Sequence, residues 1–152
     1  MVVDVVLAYI EKNDKYLMLL RNKRLKDLNK NKYVGVGGHV EEGESIVEAM
    51  KREIKEETSL IVKEYKYRGL VYFNNGEYEE NMYLFHVTSF DGVVRECDEG
   101  TLYWIPKNEI FNLNLWEGDK YFLKPFMETD EMINLKMYYK GDKLVRWEKN
   151  ED

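Results

Sequence analysis

The apolar positions begin as a Val-rich run, Val2 to Ile10, which predicts a strand. A second run, Tyr16 to Leu20, follows Asn13-Asp14, and the pair predicts a hairpin. Asn22 to Lys32 is a polar, basic loop, and the short segment Tyr33 to Val40 carries Gly35, Gly37 and Gly38. Ser45 to Thr58 holds strong helix formers without Gly or Pro and predicts a helix. From Val62 the pattern returns to strands. Tyr65 to Phe73 and Asn81 to Val87 flank Asn74-Asn75-Gly76, a hairpin signal. Thr101 to Ile105 is a short strand stopped by Pro106. Asp119 to Glu128 predicts a helix that Pro125 kinks or ends. Met132 to Tyr139 and Lys143 to Trp147 flank Lys140-Gly141-Asp142, a terminal hairpin. This order predicts a mixed α/β (α+β) fold in a single domain, residues 1–152.

Composition agrees. A chain of 152 residues, 44% hydrophobic and 34% charged, is neither disordered nor membrane-embedded. At this length it buries enough surface to fold without a disulfide or a structural metal. The net charge of −6 argues against a nucleic-acid polymer as partner, and no apolar run is long enough to span a membrane. Met1 to Ile10 is broken by Asp4 and lacks a basic lead, so it is no signal peptide. The single cysteine, Cys97, suits a reducing, cytoplasmic compartment. The charge is not evenly spread. Residues 41–57 hold seven acids and three bases, while residues 12–32 hold eight bases and two acids.

The helix from Ser45 changes the picture. At about 100° per residue, Met50 and Ile54 share a face with Ile46, and Lys51, Lys55 and Glu48 lie opposite. Glu53, Glu56 and Glu57 fall on the apolar side, and their i, i+3 and i, i+4 spacings make their carboxylates neighbours. Clustered carboxylates turned toward the protein body need a cation or shifted pKa values. A hard divalent cation is the natural partner, since Mg²⁺ bridges carboxylates to phosphates and Mn²⁺ can stand in for it. The same acids would also suit an ordinary acidic helix with pairs such as Arg52 with Glu56.

The preceding loop decides between these readings. Gly38, five residues, Glu44, seven residues, Arg52-Glu53-Ile54, one residue, Glu56-Glu57, one residue, Ser59-Leu60 resembles the signature of the Nudix hydrolases. Ser59 departs from it, standing where the family usually has a helix-ending Gly. The resemblance is specific over residues 33–60 and looser over residues 2–128. It implies a mixed β-sheet sandwiched between α-helices, in a Mg²⁺-dependent enzyme that hydrolyses a nucleoside diphosphate linked to another group. It further implies that Glu53, Glu56, Glu57 and the Gly38 carbonyl hold metal, with Glu53 also a candidate general base. The metal would neutralise the diphosphate and help generate the attacking hydroxide. Arg52 would orient Glu53, touch phosphate, or simply pair within the helix. Glu44 would order the loop or reach a metal through water. Glu99 is the leading distant acid to complete the metal set, with Glu96 and Asp98 as competitors.

For the substrate, Arg21, Gly37 and His39 are candidate phosphate contacts. Leu115-Trp116-Glu117-Gly118-Asp119 looks like the base-recognition segment of the MutT-like, 8-oxo-dGTP diphosphatase branch. Trp116 would stack on the base and Asp119 would read its edge. Alternatively Trp116 is core and Asp119 a helix N-cap. Val34 stands where a related enzyme has a base-reading Asn, so the base preference differs or broadens. Tyr33, Tyr83 and Phe85 are further candidate pocket residues or core. The first expectation is hydrolysis of a nucleoside triphosphate, including an oxidised purine, to monophosphate and pyrophosphate. The alternatives are hydrolysis of ADP-ribose, a nucleotide sugar or a dinucleoside polyphosphate, and a non-catalytic nucleotide sensor. The expected partner is a nucleotide-type small molecule, bound by a monomer or homodimer.

Overall fold

The computed structural model describes residues 1–150. Strand β1 (Val2–Lys12) turns through Asn13 and Asp14, both with positive φ, into β2 (Lys15–Leu20). The short strands β3 (Tyr33–Val34) and β4 (Val36–His39) follow, then helix α1 (Ile46–Thr58). A long hairpin, β5 (Ile61–Asn75) and β6 (Tyr78–Asp91), leads to β7 (Thr101–Pro106) and a 3₁₀ turn, Lys107–Asn112. Helix α2 (Asp119–Glu128) and the hairpin β8 (Ile133–Lys140) and β9 (Lys143–Lys149) complete the chain.

The strands run in the order β3-β2-β1-β6-β5-β8-β9, with β4 paired to β1 and β7 to β2. β1 is the hub. It runs parallel to β6 over Val2–Ile10 and antiparallel to β4, from Val5 opposite His39 to Ala8 opposite Val36. Its alternating side chains divide the core. Val6, Ala8 and Ile10 pack with Ala49, Met50 and Ile54 of α1, while Tyr9 packs with Phe122, Leu123 and Phe126 of α2. The mixed sheet is therefore sandwiched between the helices, as the resemblance implies.

β5 and β6 run several residues beyond the apolar stretches that predict them. Exposed polar residues such as Glu64 and Asp91 still ladder with a partner strand, and hydropathy registers burial, not pairing. α2 runs past Pro125 to Glu128, because the proline falls in the last turn. β8 joins the centre of the molecule by pairing in parallel with β5, Gly69 opposite Ile133 through Asn75 opposite Tyr139. No described helix is long and apolar enough to cross a membrane.

Ser45 caps α1 rather than lying within it. Its hydroxyl accepts from the Glu48 amide at 3.1 Å, and Glu48 returns a bond from the Ser45 amide at 3.0 Å. At the other end Ser59 adopts φ 69° and donates its N–H to the Lys55 carbonyl at 2.9 Å, so serine takes the left-handed cap that favours glycine. Replacing Ser45 by Ala removes one half of the capping box. A loss of about 1 kcal/mol is expected, read as a Tm lowered by roughly 2–4 °C in a thermal melt.

Candidate active site

The last turns of α1 face strand β4; Gly38 makes that approach fit, and Gly37 lets β4 lie against β1. A Cβ on Gly37 would lie 1.8 Å from the Val6 carbonyl oxygen, and one on Gly38 would lie 2.6 Å from the Glu53 carboxyl carbon. Backbone at these points can be neither wider nor farther away. Gly37 donates its amide to Glu57 Oε2 at 3.0 Å. Glu57 is only 5% exposed, and its Oε1 is buried with no hydrogen-bond partner among the described residues.

Arg52 gathers the rest of the segment. It grips Glu44 with two bonds, Nε at 2.7 Å and Nη2 at 3.0 Å, and reaches Glu53 Oε1 at 2.7 Å and Glu56 Oε2 at 3.1 Å through Nη1. Nη2 also donates to the His39 carbonyl at 2.9 Å. Glu44 accepts from the Glu41 amide at 3.0 Å, which fastens the loop before α1. The guanidinium holds the Glu44 carboxyl down to about 2. Glu53 goes the other way, raised mainly by its partial burial against the pull of Arg52.

The third acid comes from the loop before β7. Glu99 faces Glu57, and the pairing pushes Glu57 up, through burial and then Glu99, and Glu99 down. Arg21 Nη1 stands 3.6 Å and Arg24 Nη2 3.8 Å from Glu99. Its Oε2 is a second buried oxygen without a hydrogen bond among the described residues. The competitors fall away: Glu96 pairs with Lys23 at 3.5 Å on the surface, and Asp98 is exposed.

A cavity of about 420 Å³ runs from these acids to α2. At one end it is lined by Glu53, Glu99, Arg21 and Arg24, and at the other by Trp116, Asp119, Phe73 and Tyr139. Trp116 is 7% exposed, set edge-on to Phe73 and Tyr139, and its Nε1 donates to Asn29 Oδ1 at 2.7 Å. Trp116 is thus core and cavity wall at once. Asp119 is buried at the start of α2, and Gly118, not Asp119, occupies the N-cap. Burial pushes the Asp119 carboxyl up to about 7, with a backbone bond from Trp116 and the charge of Lys32 opposing.

Most candidate residues come together, and some differ from expectation. Glu53 and Glu57 turn inward, whereas the Glu56 side chain is 60% exposed and held outward by Arg52. A wheel at about 100° per residue places all three on the apolar side; Glu56 lies at the rim of that face, where Arg52 captures it. The Gly37 amide is taken by Glu57, and His39 lies exposed at the cavity mouth. Tyr33, Tyr83 and Phe85 do not line the cavity. Phe85 is fully buried under α1, because its parity on β6 points it to that face. The cavity wall from Met137 and Tyr139 lay beyond the recognisable motif. Asn29 carries no mark in the loop sequence that sets it apart from its basic neighbours.

Among the described residues no three His, Cys, Asp or Glu side chains form a ready-made metal cage. The donor chemistry nevertheless fits a hard cation. Two buried carboxylate oxygens, on Glu57 and Glu99, lack hydrogen-bond donors, and Glu53 stands beside them.

The comparisons agree with this geometry. Residues 1–126 match the NUDIX domain family. The Nudix hydrolase YvcI of Bacillus subtilis (strain 168) is 30% identical over 131 residues, covering 82% of this chain and 79% of that protein. An oxidized purine nucleoside triphosphate hydrolase of Danio rerio is 27% identical over 116 residues, covering 75% and 74%. The crystal structure of the MutT protein from Bacillus halodurans superimposes with a TM-score of 0.87 at 28% identity, over 97% of each chain. The chain belongs to the Nudix hydrolase family and is MutT-like.

Burial and Glu99 push the Glu57 carboxyl up, so without metal it stays protonated, and a cation must displace that proton to bind there. Glu57→Gln keeps an acceptor for the Gly37 amide and loses the group that can ionise. In a chelator its Tm should stay within about 2 °C of the wild type. Saturating Mg²⁺ should raise the Tm of the wild type and not of the variant, because only the wild-type carboxyl can ionise onto the cation.

Proposed function

From that membership we propose that this Nudix hydrolase converts a purine nucleoside triphosphate, oxidised dGTP among them, to the monophosphate and pyrophosphate with Mg²⁺. The observation that carries the reading is the cavity's two-ended lining. One end offers carboxylates and guanidinium groups for a metal-bound phosphate chain. The other offers an indole and a buried carboxyl suited to a base. The similarity to the Danio rerio enzyme supports the same substrate class. The lone cysteine accords with a cytoplasmic setting.

Glu53, Glu57 and Glu99 would hold the cation, with the Gly38 carbonyl and a reoriented Glu56 as further oxygen ligands. When bound, it supplies charge neutralisation and Lewis-acid polarisation of the phosphoryl group. Glu53, raised by burial and steadied through one oxygen by Arg52, accepts the proton of the attacking water. Arg21, now paired with Asp27 at 2.7 Å, and Arg24 meet the phosphate oxygens. Gly37 and His39 border the phosphate path. Trp116 forms the stacking wall, and Asp119 reads the base edge.

A panel of nucleoside triphosphates, nucleotide sugars and ADP-ribose, run with Mg²⁺ in ¹⁸O-labelled water, tests this. The expected products are monophosphate and pyrophosphate with one labelled oxygen. A clear preference for a substrate that is not a triphosphate would overturn it. Glu53→Gln should lower kcat by about 10²–10⁴-fold. Asp119 contributes a pH signature. Below about 7 its carboxyl is protonated and donates; above, it is ionised and accepts from base N–H groups. KM for a guanine-type substrate should fall as pH rises through 7, and Asp119→Asn should flatten that profile.

A further inference from the structure

Asn29 sits in the basic loop after β2, and that loop is tightly built. Its amide N–H donates to Asp27 Oδ1 at 3.0 Å, its carbonyl accepts from Lys32 N at 2.8 Å, and Asp27 is gripped by Arg21 Nε at 2.7 Å. The side chain is equally constrained. An indole N–H can only donate, so the atom of Asn29 facing Trp116 Nε1 at 2.7 Å must be the carbonyl oxygen. The amide NH₂ is then the polar group Asn29 has left, and none of the described residues takes a hydrogen bond from it. Asn29 lines the same cavity as Trp116 and Asp119, and each is bonded directly to Trp116: Asn29 through its side chain, Asp119 through its amide to the Trp116 carbonyl at 3.0 Å. An amide donor and a carboxyl therefore flank one indole in the same cavity. Val34, which also lines the cavity, offers the base no hydrogen bond.

We propose that Asn29 determines base specificity, its amide NH₂ reading a ring carbonyl while Asp119 reads the neighbouring N–H, so that oxo-purines are preferred over amino-purines. This rests on the reading above that the base stacks at Trp116. An adenine-type edge presents a donor where Asn29 also donates, and the unpaired groups cost affinity. A guanine- or hypoxanthine-type edge presents an acceptor there and matches.

The test compares kcat/KM for dITP and dATP, which differ at this edge alone, in wild type, Asn29→Asp, Asn29→Ala and Trp116→Ala, with folding checked by thermal melt. Asn29→Asp keeps the acceptor for Trp116 and removes the donor. The expected result is a dITP-to-dATP ratio lowered about tenfold in Asn29→Asp, through KM and not kcat. An unchanged ratio in Asn29→Asp, with Asn29→Ala and Trp116→Ala impaired, would overturn the proposal, leaving Asn29 a support for the indole. If Trp116→Ala leaves both KM values unchanged, the base does not stack there, and the wider reading falls with the proposal.

Discussion

Everything at the site depends on how closely the end of α1 lies against β4. The Glu53 carboxyl reaches the sheet edge because Gly38 carries no side chain, and β4 lies there because Gly37 lets it close onto β1. With a Cβ at either position, β4 would be driven from β1 or Glu53 from the cavity. The Gly37 amide, an unpaired donor on the outer side of β4, then finds its acceptor in Glu57. One bond thus satisfies a strand-edge donor and anchors a buried carboxylate. The helix contributes apolar packing through Ala49, Met50 and Ile54 on the same side, so hydrophobic burial holds the two carboxyls in place at the cost of their ionisation.

That arrangement is costly without a cation, and Arg52 and Glu99 show how the cost is distributed. Arg52 spends its guanidinium on four partners, Glu44, Glu53, Glu56 and the His39 carbonyl, and so fixes the loop, the helix and β4 together. It leaves Glu57 untouched. Glu57 instead meets Glu99, another acid, and among the described residues neither buried oxygen accepts a hydrogen bond, though Arg21 stands 3.6 Å from that of Glu99. An arrangement selected for stability alone would place a donor there; one prepared for a divalent cation leaves the place for it.

The motif was legible because its chemistry is local. Glycines, acids and an arginine at set intervals lie on one loop and one helix, and residue spacing translates directly into which groups meet. Glu99 was legible for a weaker reason, as an acid just before a strand, and three neighbouring acids competed until the register of β7 against β2 placed Glu99 beside Arg21. What escaped depends on long-range pairing. Tyr139 and Met137 enter the cavity because β8 adds in parallel to β5, a contact between distant segments that no turn signal announces. Glu56 misled because a helical wheel gives direction but not which neighbour captures a long side chain at the rim.

The two ends of the cavity are also mechanically joined. Arg21, at the phosphate end, holds Asp27; Asp27 holds the Asn29 amide; Asn29 holds the Trp116 indole at the base end. Each link is a hydrogen bond of 2.7–3.0 Å within one loop and across to the start of α2. A phosphate that draws Arg21 away from Asp27 would loosen the support beneath Asn29, and a base that tightens Asn29 against Trp116 would hold Arg21 on Asp27 and away from the phosphate. Coupling of this kind is reciprocal by thermodynamic necessity. The basic loop is therefore more than a solvated counterweight to the acidic helix: Arg21 and Arg24 face Glu99, and Asn29 holds the Trp116 indole.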